Sequence, residues 1–281
     1  MTVLQAIVLG IVQGLTEFVP VSSSAHLVLV PWLLGWTFDT QTAFVFGVLV
    51  QWGTLVAVFA YFWSDVWLIA RAVLGGLARG EPFESFEARL GWWVVLATIP
   101  AVAFGLLLKD QVEAAFSAPV TVTSFLFVTA AILFAAERFG KRLRDLRQIG
   151  TGDALIIGFA QVLALFPGVS RSGATIGAGM LRHLDRPAAA RFSFLMSIPA
   201  LLGAGVVALV DLFENAALLS SLALPLVAGF LASAMSGYLC IRWFLGYLQR
   251  RSLIVFAVYC IVFGAFCLVV ALARSYAVAT P

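Results

Sequence analysis

Charge is what this sequence has least of. Asp, Glu, Lys and Arg make up 11% of its 281 residues, against about 25% in an ordinary soluble domain. No polar stretch is long enough for an appended soluble domain, so residues 1–281 read as a single membrane domain. A net charge of +3 is too small to point to nucleic acid. In a lipid-embedded chain, basic residues report orientation instead. Cysteine is equally scarce. Cys240, Cys260 and Cys267 are odd in number and scattered through apolar runs, which speaks against a disulfide framework and against metal-ligand spacing. Residues 1–12 lack a basic start and a small-residue cleavage pattern, so no cleaved leader is expected.

What the sequence has instead is apolar length. Hydrophobic residues make up 62% and the mean hydropathy is +1.05, the composition of a polytopic membrane protein. A full span takes about 20 apolar residues. Six stretches qualify: 42–62, 90–108, 119–136, 190–210, 223–243 and 252–272. Two more apolar regions, 1–35 and 153–181, are broken by PVSSS at 20–24 and PGVSRSG at 167–173. Each half, of about 12–16 residues, is too short to cross. Irregular backbone at membrane depth survives only where protein or water covers it. Both regions therefore read as re-entrant helix–loop–helix hairpins. Segment 64–89 reads as an amphipathic surface helix.

Loop charges orient these elements. Segment 137–151 carries five basic and two acidic residues, and Arg182, Arg186, Arg191 and Arg242, Arg250, Arg251 mark two further basic loops. Segments 109–118 and 211–221 hold more acid than base. With the basic loops in the cytoplasm, alternation works only if 153–181 returns to its side of entry. The expected fold is thus all-α: six transmembrane helices plus two re-entrant hairpins. A first repeat, 1–136, opens with the hairpin at 1–35; a second, 153–272, opens with that at 153–181. Three spans per repeat is an odd number, so the halves have opposite orientation, an inverted-topology repeat. Gly10, Gln13, Pro20 and Ser23 answer Gly158, Gln161, Pro167 and Ser170, allowing one gap. Opposed hairpins would bring Glu17, Ser23 and His26 to Ser170, Arg171 and Thr175 near the midplane.

Those residues carry the chemistry. Gln13 and Glu17 are four apart and share a helix face. A carboxylate inside the membrane costs about 2.5–3.5 kcal/mol unless it is paired or bound to metal. A structural ion pair with Arg171 would account for it; so would a divalent-metal ligand or a general base. After Pro20, Ser22, Ser23 and Ser24 supply caps and hydroxyls, and His26 comes three residues after Ser23. A lone histidine in a soluble core is usually a packing residue, but one turn into a membrane helix that opens on three serines it points to function. In the second hairpin, Ser170, Arg171, Ser172, Gly173 and Thr175 open a half-helix. Glycines admit backbone amides to a ligand, a helix N-terminus favours anions, and arginine offers a planar fork for phosphate oxygens. This is an oxyanion cradle without a Walker lysine. A Ser/Gly break kept for helix packing would explain everything there except Arg171. A phosphate or pyrophosphate on a lipid is the economical ligand.

On these motifs the chain resembles the undecaprenyl-diphosphate phosphatase family, also called the bacitracin-resistance family. Gln13-Gly14-Leu15-Thr16-Glu17 matches its (E/Q)xxxE motif, FVPVSSSAH its serine–histidine stretch, and PGVSRSGAT at 167–175 its PGxSRSGxT motif. FSFLMSIPA at 192–200 and VQWGT at 50–54 are also similar to family sequence. Gln13 stands where paired carboxylates would place a second negative charge.

The resemblance implies hydrolysis of undecaprenyl diphosphate to the monophosphate carrier of peptidoglycan synthesis, with bacitracin resistance. It also implies a divalent cation (Mg²⁺ or Ca²⁺) and a bacterial inner-membrane location with the site facing the periplasm. On this resemblance, Arg171, Ser170, Thr175 and the amides of 171–173 hold phosphate, beside Ser22, Ser24, Ser172 and Gly173. Glu17 with Gln13 holds the metal or orients the nucleophile. Ser23 attacks, activated by His26, with His26 itself or a water as rival nucleophiles. Architecture alone favours a transporter of an anionic solute, or more sharply a flippase of an anionic polyprenyl-phosphate lipid; the Ser/His/Glu/Arg group, richer than binding requires, and the family motifs favour the enzyme, and a structural scaffold gives no reason to bury Glu17 and Arg171. Gly/Ala-rich faces such as LLGAGVVAL at 201–209 suit close helix packing and are compatible with a homodimer.

Overall fold

The computed structural model describes residues 1–108, 111–112, 119–213 and 222–279. The acid-rich segments 109–118 and 211–221 lie mostly outside them. Among the described residues there are eleven α-helices and no strand. Helices α1 (Val3–Phe18) and α2 (Ser23–Leu34) are the halves expected on either side of PVSSS. Then come α3 (Thr40–Tyr61), α4 (Trp63–Arg79), α5 (Phe86–Leu107) and α6 (Pro119–Phe139). The second broken region gives α7 (Thr151–Leu163) and α8 (Arg171–Leu181), and after it come α9 (Arg186–Phe213), α10 (Ala223–Leu248) and α11 (Ile254–Ala279).

Among the described residues five helices have the length and apolarity to cross a membrane: α3, α5, α6, α10 and α11 up to Tyr276. The sixth expected span, 190–210, falls within the 28-residue α9. The four hairpin helices are 16, 12, 13 and 11 residues long, each well below the length of a span. Helix α4 (Trp63–Arg79) covers the first part of segment 64–89, the expected amphipathic surface helix. Only Gly76 along it is buried, and Trp63, Trp67, Leu68, Leu74 and Leu77 are exposed.

Each hairpin packs mainly against a long helix of the other half. Helix α1 lies along α10, and α7 along α5. Glycine makes both contacts possible. A Cβ on Gly10 would run into the Gly229 carbonyl, and one on Gly158 would lie 2.6 Å from the Ala97 carbonyl oxygen. Gly10 and Gly158 are the positions that match between the two broken stretches. Helix α3 then packs on α10 and α9, and α6 on α11 and α8. Phe18 at the end of α1 meets Phe194 of α9 edge-on, 5.3 Å between centroids, which ties the first hairpin to the second half.

The basic loop is knotted by two buried carboxylates. Glu137 accepts from Arg142, from Arg186 and from the Leu253 amide. Asp153 accepts from Arg144 at 2.6 Å and Arg182 at 2.8 Å. The second pair joins the start of α7 to the end of α8, so both feet of the second hairpin are pinned together.

Candidate active site

Helix α1 stops because Pro20 cannot continue it, and its last turn presents Glu17. The chain then reverses through Ser22, a non-glycine residue at φ +71° whose hydroxyl caps α2 by accepting from the Ala25 amide. In the second hairpin the reversal uses Gly168 at φ +108°. Only glycine fits, since a Cβ would strike the Val122 carbonyl and the angle is strained for any other residue. Thr129 of α6 clamps this turn. Its hydroxyl donates to the Gly168 carbonyl at 3.1 Å and accepts from the Ser170 amide at 2.9 Å. Ser170 then caps α8, accepting from the Gly173 amide at 3.0 Å.

The two tips meet. Arg171 Nη2 donates to Glu17 Oε1 at 2.6 Å, with side chains 16% and 6% exposed, so this pair is largely withdrawn from solvent. Glu17 Oε2 accepts from Gln13 Nε2 at 2.9 Å and from Ser23 Oγ at 2.7 Å. Ser172 Oγ donates to the Val19 carbonyl, and the Gly168 amide to Ser24 Oγ. Ser22 and Ser24 hydroxyls lie 3.2 Å apart, Ser170 and Ser172 3.1 Å apart. Thr175 Oγ shares a 2.6 Å hydrogen bond with Ser193 of α9, and Arg171 Nη1 donates to the Ser193 carbonyl. The fork of Arg171 is thus held at the mouth of the cradle.

Sequence reasoning paired Ser23 with His26. The structure pairs Ser23 with Glu17 instead. His26 Nδ1 lies 2.7 Å from the Ser22 carbonyl oxygen, and Nε2 lies 2.7 Å from the Tyr259 hydroxyl. One turn into α2, the imidazole faces α11, stacked on Phe263 at 4.8 Å and on Tyr259 at 5.7 Å. Tyr259, Thr129 and Ser193 were not singled out from sequence. Each sits in an apolar run where it is indistinguishable from an anchor or packing residue.

Gln13 Oε1 is buried with no hydrogen-bond partner. It is an open oxygen ligand one helical turn from the carboxylate. Among the described residues no three His, Cys, Asp or Glu side chains gather into a metal cluster. One carboxylate, one amide oxygen and a hydroxyl fit a hard cation that completes its shell from substrate phosphate, as Mg²⁺ commonly does.

Beside the site runs an apolar groove of about 480 Å³ between α1, α10 and α11, lined by Leu15, Val19, Leu239, Trp243, Phe256 and Tyr259 among others. Tyr259 is at once its wall and the partner of His26.

Residues 6–266 match the family model described as bacitracin resistance protein BacA. The chain belongs to this family. Its curated relatives agree with that membership. A protein named undecaprenyl-diphosphatase from Thermomicrobium roseum is 45% identical over 282 residues, covering 98% of this chain and all of that protein. One of the same name from Chlorobium phaeovibrioides is 44% identical, covering 94% and 95%. A third, from Gemmatimonas aurantiaca, is 46% identical, covering 94% and 96%. The BacA match covers the tips of both hairpins, so the whole constellation of Glu17, Ser23, His26 and Arg171 lies inside it.

Proposed function

We propose that this protein is an integral-membrane phosphatase that removes the terminal phosphate of undecaprenyl diphosphate, returning the monophosphate carrier and inorganic phosphate. The observation that carries the reading is the Ser23–Glu17–Arg171 chain: a hydroxyl on a carboxylate on a guanidinium, inside an apolar bundle. A structural ion pair alone would not need Ser23 and Gln13 on the same carboxylate. The carrier's recycling serves peptidoglycan synthesis and underlies bacitracin resistance.

The bonds set the order of events. Diphosphate enters the cradle, and Arg171 exchanges Glu17 for phosphate oxygens, which suit its planar fork. Amides of 171–173 and the hydroxyls of Ser170, Ser172 and Thr175 line the same end of α8, with Ser22, Ser24 and Gln13 opposite. Released from its guanidinium, Glu17 accepts the Ser23 proton across the existing 2.7 Å hydrogen bond. Ser23 Oγ bonds to the terminal phosphorus as the bond from phosphorus to the bridging oxygen breaks, and the polyprenyl monophosphate leaves with the proton from Glu17, which is a carboxylate again. Water, deprotonated by Glu17, then attacks the phosphoserine, and the proton returns to Ser23 as phosphate departs. A divalent cation, Mg²⁺ or Ca²⁺, held by Glu17 and Gln13, would neutralise charge on the phosphoryl oxygens. The prenyl chain has an apolar berth in the groove beside Leu15, Val19 and Phe256.

The membrane arrangement belongs to the same reading. Helix α9 crosses as the sixth span. The hairpins α1–α2 and α7–α8 dip in from opposite faces of the bacterial inner membrane, and the site opens to the periplasm. The reciprocal packing of α1 on α10 and α7 on α5 supports repeats 1–136 and 153–272.

Purified protein in detergent, given a polyprenyl diphosphate and a series of divalent metals, should release phosphate and pass through a phosphoserine at Ser23. A label on His26 would move the nucleophile there. No release with any metal, with lipid instead crossing vesicle bilayers, would make the protein a flippase.

A further inference from the structure

His26 is bracketed by two hydrogen bonds that fix its chemistry. A backbone carbonyl only accepts, so Nδ1, 2.7 Å from the Ser22 oxygen, carries a proton. The ring is 4% exposed, and neither of its hydrogen-bond partners is anionic. A buried cation without a counter-charge is costly, so the imidazole is neutral and Nε2 holds a lone pair. The Tyr259 hydroxyl, 2.7 Å away, donates to it. In this state His26 has neither a free lone pair nor a free proton to offer Ser23.

What it does hold is Ser22. That residue sits at φ +71°, ψ 94°, a conformation that is strained for a non-glycine residue unless its surroundings impose it. Ser22 immediately precedes Ser23, so its backbone angles decide where the Ser23 hydroxyl points. We infer that Tyr259 is a positioning residue of the phosphatase. It locks His26 as the Nδ1–H tautomer, and His26 in turn holds the strained Ser22 turn that aims Ser23 at Glu17. This inference rests on Ser23 being the attacking group.

Phe263 and the Tyr259 ring complete the device. Their planes lie within 11° of each other and of the imidazole, so the ring cannot flip its nitrogens without breaking the stack. Tyr259→Phe removes the hydroxyl and keeps that stack.

The test uses the full chain with ¹⁵N-labelled histidine. His183→Asn removes the other histidine signal, and Asn tolerates the positive φ at that position. In otherwise wild-type protein, Nδ1 of His26 should be protonated and Nε2 not; protonated Nε2 beside a bare Nδ1 overturns the inference without any variant. In Tyr259→Phe, His26 should become a mixture of tautomers. The kcat should fall about tenfold, the equivalent of one hydrogen bond, with KM changed less than about twofold. Full kcat, or a rise in KM alone, overturns it, as does a fall in kcat with the tautomer unchanged. Wild-type phosphate release is measured in parallel. Its absence sinks the phosphatase reading, while the tautomer result still judges the His26 strut.

Discussion

Glu17 binds three groups with two oxygens: Arg171 on one, Gln13 and Ser23 on the other. Glu17→Gln keeps the shape and removes the charge. Arg171 is then left partly buried without a counter-ion, and Ser23 without a base. Phosphate release should fall by at least about 100-fold, the usual share of a general base; a variant within about tenfold of wild type would remove Glu17 from the chemistry. Arg171→Lys keeps the charge and loses the fork, so KM for the diphosphate should rise by roughly tenfold or more, read from initial rates. At this scale the sequence was legible where residue type was improbable. A carboxylate, an imidazole and a guanidinium in an oily chain need a reason. Tyr259 and Thr129 needed none, because an aromatic or a threonine in a membrane helix is ordinary. What they do depends on which helix lies opposite, and spacing within one helix does not encode that. The same blindness put His26 on Ser23: three residues apart on α2 they look like neighbours, yet the ring turns to α11.

The broken helices were legible as breaks because Pro20 and the Pro167–Gly168 pair come with serines that cap the next helix; Pro31, Pro100 and Pro199 lie inside helices. Their lengths came from the same signals. Not legible was how tightly the hairpins are gripped. Gly14 abuts Ser236 and Gly237 of α10, and Gly158 abuts Ala97 of α5. Gly14→Val and Gly158→Val should each destabilise the protein by roughly 1–3 kcal/mol through overpacking, seen as lower melting temperatures in detergent. Equal melting would show that α1 and α7 move away freely. Gly168→Ala is expected to be worse than either, since it combines backbone strain with a collision at Val122. The second hairpin is also tied at its feet by Asp153. Asp153→Asn should cost roughly 1–3 kcal/mol of stability, between an exposed and a buried ion pair, with phosphate release largely kept. A collapse of activity instead would mean the Arg144–Asp153–Arg182 tie sets the tip geometry.

Across the whole molecule, alternation of basic and acidic loops gave the expected orientation, and a labelling experiment checks it. Cys240, Cys260 and Cys267 are buried, none more than 3% exposed, so an introduced cysteine reports alone. Asp39→Cys should react with a membrane-impermeant maleimide on intact cells, and Arg147→Cys only after lysis. Reaction of both from one side would abolish the opposed hairpins. The crossed packing of the halves has a further consequence, for synthesis. Helix α1 emerges first but rests on α10, whose residues come after about 200 more have been made. At roughly 5–20 residues per second, the segment bearing Glu17 waits on the order of 10–40 seconds for its seat. During that time a helix too short to span, carrying an unpaired carboxylate, must be sheltered by the insertion machinery or stay at the lipid surface. Neither half can rehearse the active site alone, and a chain stopped before residue 223 has all four site residues but lacks the helix on which α1 is seated.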